Sequence, residues 1–377
     1  MRRRILILAL LCLAASAAFA QTDPVQVASP DGQLVMRLFI VSPKDSILIR
    51  LAYSVSFRGK PLIDTSLLGI TLHDVDVLLG ETVGLVTSKE ESVETPTYHY
   101  NSLIAQYLQN GSLGRRVTIE ARAYDDGIAF RYYIPRTSTV EDLQIEEELT
   151  DFRFAQDGEA YAASLSGYQS ARGEYQRTKL SAIQRSSLIG LPFLVEKPGV
   201  GWVAITEAQL DNYPGMYVFH PEGTTIRTTL SPRLDDQALA MHGVTPAETP
   251  WRVLMVASEP RKLLESNIVE NLNPPSAITD TSWIKQPKEL IPIADTAGLE
   301  EQFARLEKAG AAGVKVDLKN RVDQQMIEFR NRAAKTAASH HLMIEFENAP
   351  PSDGIERTWP NVLMREDTAF KRLLGRF

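Results

Sequence analysis

VTIEARAYDDGIAFRYYI, residues 117–134, decides how this chain reads. Val117 to Tyr124 alternates between apolar and polar side chains. The chain turns at Asp125-Asp126-Gly127, and Ile128 to Ile134 continues as a second run. Two such runs joined through Asp-Gly predict a β-hairpin, because that dipeptide suits the tight turn a right-twisted strand pair needs. The same signature recurs outward. Leu34 to Ile40 follows the Pro30-Asp31-Gly32 turn, and Ile47 to Tyr53 follows Pro43-Lys44-Asp45-Ser46. Gly201 to Thr206 and Trp251 to Val256 extend it. Strands at this density from about Val25 to Val256 predict a large β-sandwich. The stretch is long for one sandwich, so it calls for two big sheets or many strands.

Near Pro260 the pattern changes. Leu263, Leu264, Ile268 and Val269 lie at helical spacing and predict a helix over Pro260–Asn271. Asn273-Pro274-Pro275 breaks it. Beyond residue 298 the order is helix, strand, helix, strand. Leu299 to Ala309 is amphipathic; Val314 to Leu318 is a short buried strand after Gly313. Asp323 to Ser339 is a second helix, and His341 to Phe346 a second strand. This alternation predicts a parallel sheet or a piece of a barrel. With about two such strands it falls short of the eight that a closed (β/α)8 barrel needs. The domains expected are therefore 1–20, 21–275 and 299–377, with 276–298 as linker and junction.

Composition narrows the function classes. The 377 residues are 44% hydrophobic and 23% charged, as in ordinary globular proteins. A net charge of -7 argues against a nucleic-acid partner, which wants a basic face. Arg2, Arg3 and Arg4, the apolar run Ile5–Ala15 and the Ala18-Phe19-Ala20 site form a secretory signal, so the mature chain is expected in the periplasm or outside the cell. No later stretch is long and apolar enough to span a membrane. Cys12 lies in the signal, so the mature chain would hold no disulfide, thiolate metal site or cysteine nucleophile.

Three features could carry chemistry. Asp317 closes a short apolar strand. In a barrel such an acid faces the active site as nucleophile or base; elsewhere it is a helix cap or a surface acid. The run Glu345-Phe346-Glu347-Asn348 follows the next strand and presents carboxylates and an amide on the same side. Trp359 is either a sugar-stacking ring or a packed core aromatic. Paired carboxyls beside an aromatic would suit glycoside hydrolysis.

Gly313-Val314-Lys315-Val316-Asp317, Asp323-Gln324, His341-Leu342, Gly354 to Asn361 and Arg365-Glu366 keep the order and distances of motifs in glycoside hydrolase family 97, which this chain resembles. Ser29 to Gly32, Tyr124 to Tyr132, Ile205 to Met216 and Ser282 to Lys285 are similar to that family's N-terminal domain and junction. The resemblance implies a mutarotase-like β-supersandwich before a (β/α)8 barrel. It implies α-glucosidase or α-galactosidase chemistry on oligosaccharides, with calcium at the site. By resemblance, Asp317 matches the nucleophile of the retaining, α-galactosidase-like branch. Glu366 and Glu207 match calcium ligands. Asn348 stands where the inverting branch has its base, and together with Trp359 it is expected to contact substrate.

Two departures follow. The acid/base glutamate is replaced by Arg372, which cannot donate a proton near neutral pH because its pKa lies above ~12. Only Gln286–Gly298 stands where the family has its first barrel strands. The barrel is expected to be incomplete, packing poorly or leaning on the sandwich. A glycosidase impaired by these losses, a non-catalytic carbohydrate-binding or structural sandwich, and a piece of a longer gene all stay open. The sugar and the oligomeric state are not fixed by sequence.

Overall fold

The computed structural model describes residues 24–43, 48–95, 97–109, 114–136, 140–171, 173–294, 297–363 and 373–374. The hairpin forms as expected. Arg116–Tyr124 pairs with Gly127–Ile134, and Tyr124 faces Gly127 across the two-residue turn. This pair sits inside a 13-stranded sheet of described residues whose edge is the Val83–Glu94 strand. Against it packs a second layer. Four strands run in sequence order from Val25–Ala28 to Lys60–Leu67, beside a three-stranded group of Met241–Val244, Asp142–Glu148 and Ile70–Leu72.

Strand alternation builds the core between the layers. Leu34, Met36 and Leu38 meet Ile119, Ala121, Phe130 and Tyr132 there, all nearly fully buried. The opposite face of the large sheet is also covered. Trp251, Val253 and Met255 point away from Leu254 and Val256. They join Tyr100, Tyr124 and Trp202 under Leu263, Ile268, Leu272, Leu373 and Leu374. Pro260–Asn271 is not one continuous helix. It is a 3-10 turn at Pro260–Leu264 and a four-residue α-helix at Ile268–Asn271, and Leu263 and Ile268 both cover this sheet face.

The βα region holds four parallel strands rather than two. Ile291–Ile293, Gly313–Asp317, Met343–Glu347 and Val362–Leu363 pair in that order. Ile291–Ile293 lies in the stretch read as linker, and three residues centred on a proline give no periodic signal. Helices Leu299–Lys308 and Gln324–Ser339 connect the first three strands. Asp323 caps the second helix by accepting the Met326 N–H.

The region does not pack poorly; it has its own core and leans on the sandwich. Val314, Val316, Ile344 and Phe346 pack with Phe303, Phe329, Ala333 and Ala337 on the helix side. The other side of the sheet carries Lys315, Glu345 and Glu347, half-buried, and the exposed Asp317. A parallel sheet is normally buried on both faces with apolar side chains. This one is apolar on one face and charged on the other.

The junction is polar and specific. Arg330 grips Asp353 with two hydrogen bonds, 3.0 and 2.9 Å, and donates to the Leu210 carbonyl. Asp353 in turn accepts the Leu210 N–H at 2.8 Å. The Gln324 amide donates to Asn212 and the His242 carbonyl, and its oxygen accepts from the His242 N–H and Arg233. Val322 and Ile327 complete the contact against Leu210 and Tyr217. Gly354, at φ +86, has no room for a side chain: a Cβ would stand 2.7 Å from the Val269 carbonyl oxygen.

Candidate functional site

Asp317 ends the second parallel strand, where the chain turns through Lys319 and Asn320, both at positive φ. Its carboxylate accepts the Asn348 amide at 2.8 Å and the Lys319 N–H at 2.7 Å. Asn348 first, then the Lys319 N–H, hold this carboxyl below its ordinary range. The acid is thus ionised, oriented and open to solvent, the state a nucleophile requires. Asn348 occupies the left-handed region at φ +49, a conformation asparagine tolerates, and accepts the Asn320 N–H. Both loops at this strand end are therefore tied together through Asp317 and Asn348.

Asp317 also has a charged neighbour from the Glu345–Asn348 run. Glu347 is its register partner on the adjoining strand. The Glu347 carboxylate lies 3.2 Å from the Lys315 ammonium on the same sheet face. Period-two counting from Asp317 gives Lys315 as a face-mate, and the parallel register adds Glu347.

Glu207 lies one wall away, on the sandwich strand Gly201–Ala208. It lines a cavity of about 100 Å³ with Met216, Tyr217, Asn320, Val322 and the loop Ala349–Pro351. Both its oxygens accept the Met216 N–H, at 3.0 and 2.9 Å, and one accepts Arg252 at 2.8 Å. Arg252 is its cross-strand partner and also clamps Glu148 through two bonds. The Tyr213 hydroxyl donates to Glu148 as well. One guanidinium thus faces two buried carboxylates. Burial outweighs Arg252 and pushes the Glu207 carboxyl up to about 7. An arginine in the apolar run WRVLMVA was the sequence signal for this network, because a buried cation needs a buried acid.

With Glu207 ionised the cluster has one surplus negative charge, which suits a hard cation. Calcium takes six to eight oxygens, however, and among the described residues no group of three or more acids, histidines or cysteines could hold a metal ion. Glu207 offers one ligand, and Glu366 lies outside the described residues, as does Arg372.

Trp359 is not beside Asp317. Val362 pairs with Ile344, level with Val314, and Trp359 precedes it, toward the strands' N-terminal end. Asp317 lies three residues past Val314 the other way, about 10 Å along the sheet. The half-buried ring packs on the sheet–helix core and lines a separate crevice at the junction with the sandwich. The pairing of Asn348 and Trp359 around one substrate is therefore not formed.

Residues 27–275 match the family profile described as Glycosyl-hydrolase 97 N-terminal, and residues 284–368 match Glycoside hydrolase 97. A retaining alpha-galactosidase of Bacteroides thetaiotaomicron is 24% identical over 471 aligned positions, covering 94% of this chain and 69% of that protein. That alignment is longer than the 377 residues here, so it carries gaps on this chain's side. A probable retaining alpha-galactosidase of Streptomyces bingchenggensis is 22% identical, covering 84% of this chain and 61% of that one. Among solved structures, a glycoside hydrolase family 97 enzyme from Pseudoalteromonas sp. strain K8 in complex with acarbose superposes with a TM-score of 0.76 at 20% identity. The match covers 89% of this chain and 68% of that one. A beta-arabinopyranosidase gives 0.73 at 17% identity, covering 90% and 69%. At these identities the structures share the fold.

Proposed function

Because the chain belongs to glycoside hydrolase family 97, we propose that Asp317 is the nucleophile of a retaining-type site for α-linked oligosaccharides whose cleavage step lacks its acid partner. The observation that carries this reading is the ionised, doubly hydrogen-bonded Asp317 at a strand tip. Retention needs a second carboxyl about 5–5.5 Å away to protonate the leaving oxygen. Arg372 stands at that position in the sequence, and the neighbouring Glu347 is engaged with Lys315. Loss of general acid help lowers cleavage by about 10²–10⁴-fold.

Asn348 would orient the attacking carboxylate. Glu207 and Glu366 would contribute ligands to a calcium ion, which would supply positive charge beside the buried carboxylates. The Arg2–Ala20 segment would direct export to the periplasm or the medium.

The test separates leaving groups. A dinitrophenyl α-galactoside needs no protonation, so Asp317 should displace dinitrophenolate from it in a burst. The missing group would also activate water in the second step, so added azide should restore turnover, and Asp317→Ala should abolish both. The unactivated disaccharide should turn over about 10²–10⁴-fold more slowly than with a paired acid. Equal rates of leaving-group release from both substrates would refute the missing acid, and loss of disaccharide cleavage in Glu347→Gln would identify Glu347 as that acid. Binding of α-galactosides without turnover of either substrate would instead favour the non-catalytic carbohydrate-binding reading.

A further inference from the structure

The crevice that holds Trp359 belongs to neither the Asp317 tip nor the Glu207 cavity. It has a volume of about 520 Å³ and opens where the sandwich loop Gln209–Asp211 meets helix Gln324–Ser339 and the segment Asp353–Trp359. Its composition is that of a polar-ligand site with one aromatic wall. Trp359 presses on the sheet–helix core and lines the crevice, so the ring is held in place before any ligand arrives. Rings of this kind take the apolar face of a sugar, while polar neighbours take its hydroxyls.

The charges are asymmetric. Asp353 is neutralised by Arg330. Asp211 is exposed and accepts a bond from Asn331. Arg332 and Lys335 are exposed, one helical turn apart on the same helix. Among the described residues neither forms an ion pair with an acid, and Arg332 rests on the Phe329 ring. The crevice therefore presents two available cations against one acid.

We propose that this crevice is a second saccharide site, selective for a sugar carrying a carboxylate, such as a hexuronic acid. Trp359 stacks on the ring, and Arg332 and Lys335 take the carboxylate, Arg332 through its planar fork. The gap between the two cations on one helix face suits a single carboxylate.

The experiment uses the full chain and calorimetry with two probes, trigalacturonate and the neutral trisaccharide of galactose. Trigalacturonate should bind at least about tenfold more tightly than the neutral probe. Trp359→Ala and the double variant Arg332→Gln/Lys335→Gln should each weaken it by about tenfold or more. Trp359→Phe keeps an aromatic wall and should stay within about threefold of the parent. The double variant replaces exposed side chains, so its thermal midpoint should not move. Asp317→Asn should leave the affinity unchanged, which separates this site from the strand-tip site. Failure of trigalacturonate to bind overturns the proposal. So does equal affinity for the neutral probe, indifference to the Arg332/Lys335 double variant, or loss of binding in Asp317→Asn.

Discussion

Glu207→Gln isolates the charge that the buried network leaves over. In the folded protein Glu207 is held at about 7, against an ordinary value of 4.5. A carboxyl raised on folding makes the folded state bind a proton more tightly. Its stabilising contribution is complete below about pH 4.5 and is lost as pH rises through 7. A change from 4.5 to about 7 corresponds to about 3 kcal/mol. Glutamine cannot titrate, so the stability difference between parent and variant should swing by about 3 kcal/mol between pH 5 and pH 8. The variant should gain as pH rises. Urea unfolding at both pH values, with chelator present, measures this directly. Millimolar calcium at pH 8 should then raise the midpoint of the parent and leave Glu207→Gln unmoved, since a ligand that binds only the folded state stabilises it. A pH-independent difference between the two proteins would refute the surplus-charge argument. A parent that becomes more stable relative to the variant toward pH 8 would refute it as well.

Arg330→Ala strands Asp353 as a buried lone charge at the junction. It should cost about 3–5 kcal/mol, and hydrogen exchange should show the βα region loosening before the sandwich. His340 bridges Glu307 and Glu300 on helix Leu299–Lys308, and Glu307 above all raises its pKa. Its contribution is therefore complete below the unfolded histidine value of about 6.5 and fades as pH rises through the folded one. Amide protection of Leu299–Lys308 should fall across that window, and should not in His340→Ala. Gly127→Ala would push a Cβ to within 2.7 Å of the Leu254 carbonyl oxygen and of Ile268. The expected loss is about 1–3 kcal/mol, read as a lower unfolding midpoint.

What sequence reasoning could reach was set by range. The 117–134 hairpin was legible because its turn chemistry and period are local, and Arg116–Tyr124 and Gly127–Ile134 formed within a residue of expectation. Ile291–Ile293 and Val362–Leu363 were not, because strands of three and two residues carry no period and exist only through their neighbours. Asp317 could be picked out from its place at a strand end. One of the bonds that orient it comes from the local Lys319 N–H, but the other comes from Asn348, 31 residues on, and required the parallel register. Trp359 reads from sequence as either a stacking ring or a core aromatic, and its ring packs on the sheet–helix core. The register placed it toward the other end of the sheet, which composition alone could not foresee.

The charged side of the parallel sheet bears on how such a chain tolerates change. Lys315, Glu345 and Glu347 are content in water, so a sheet with no staves opposite them presents ionic groups rather than grease to solvent. A lineage built this way can shed working parts and still yield dispersible molecules.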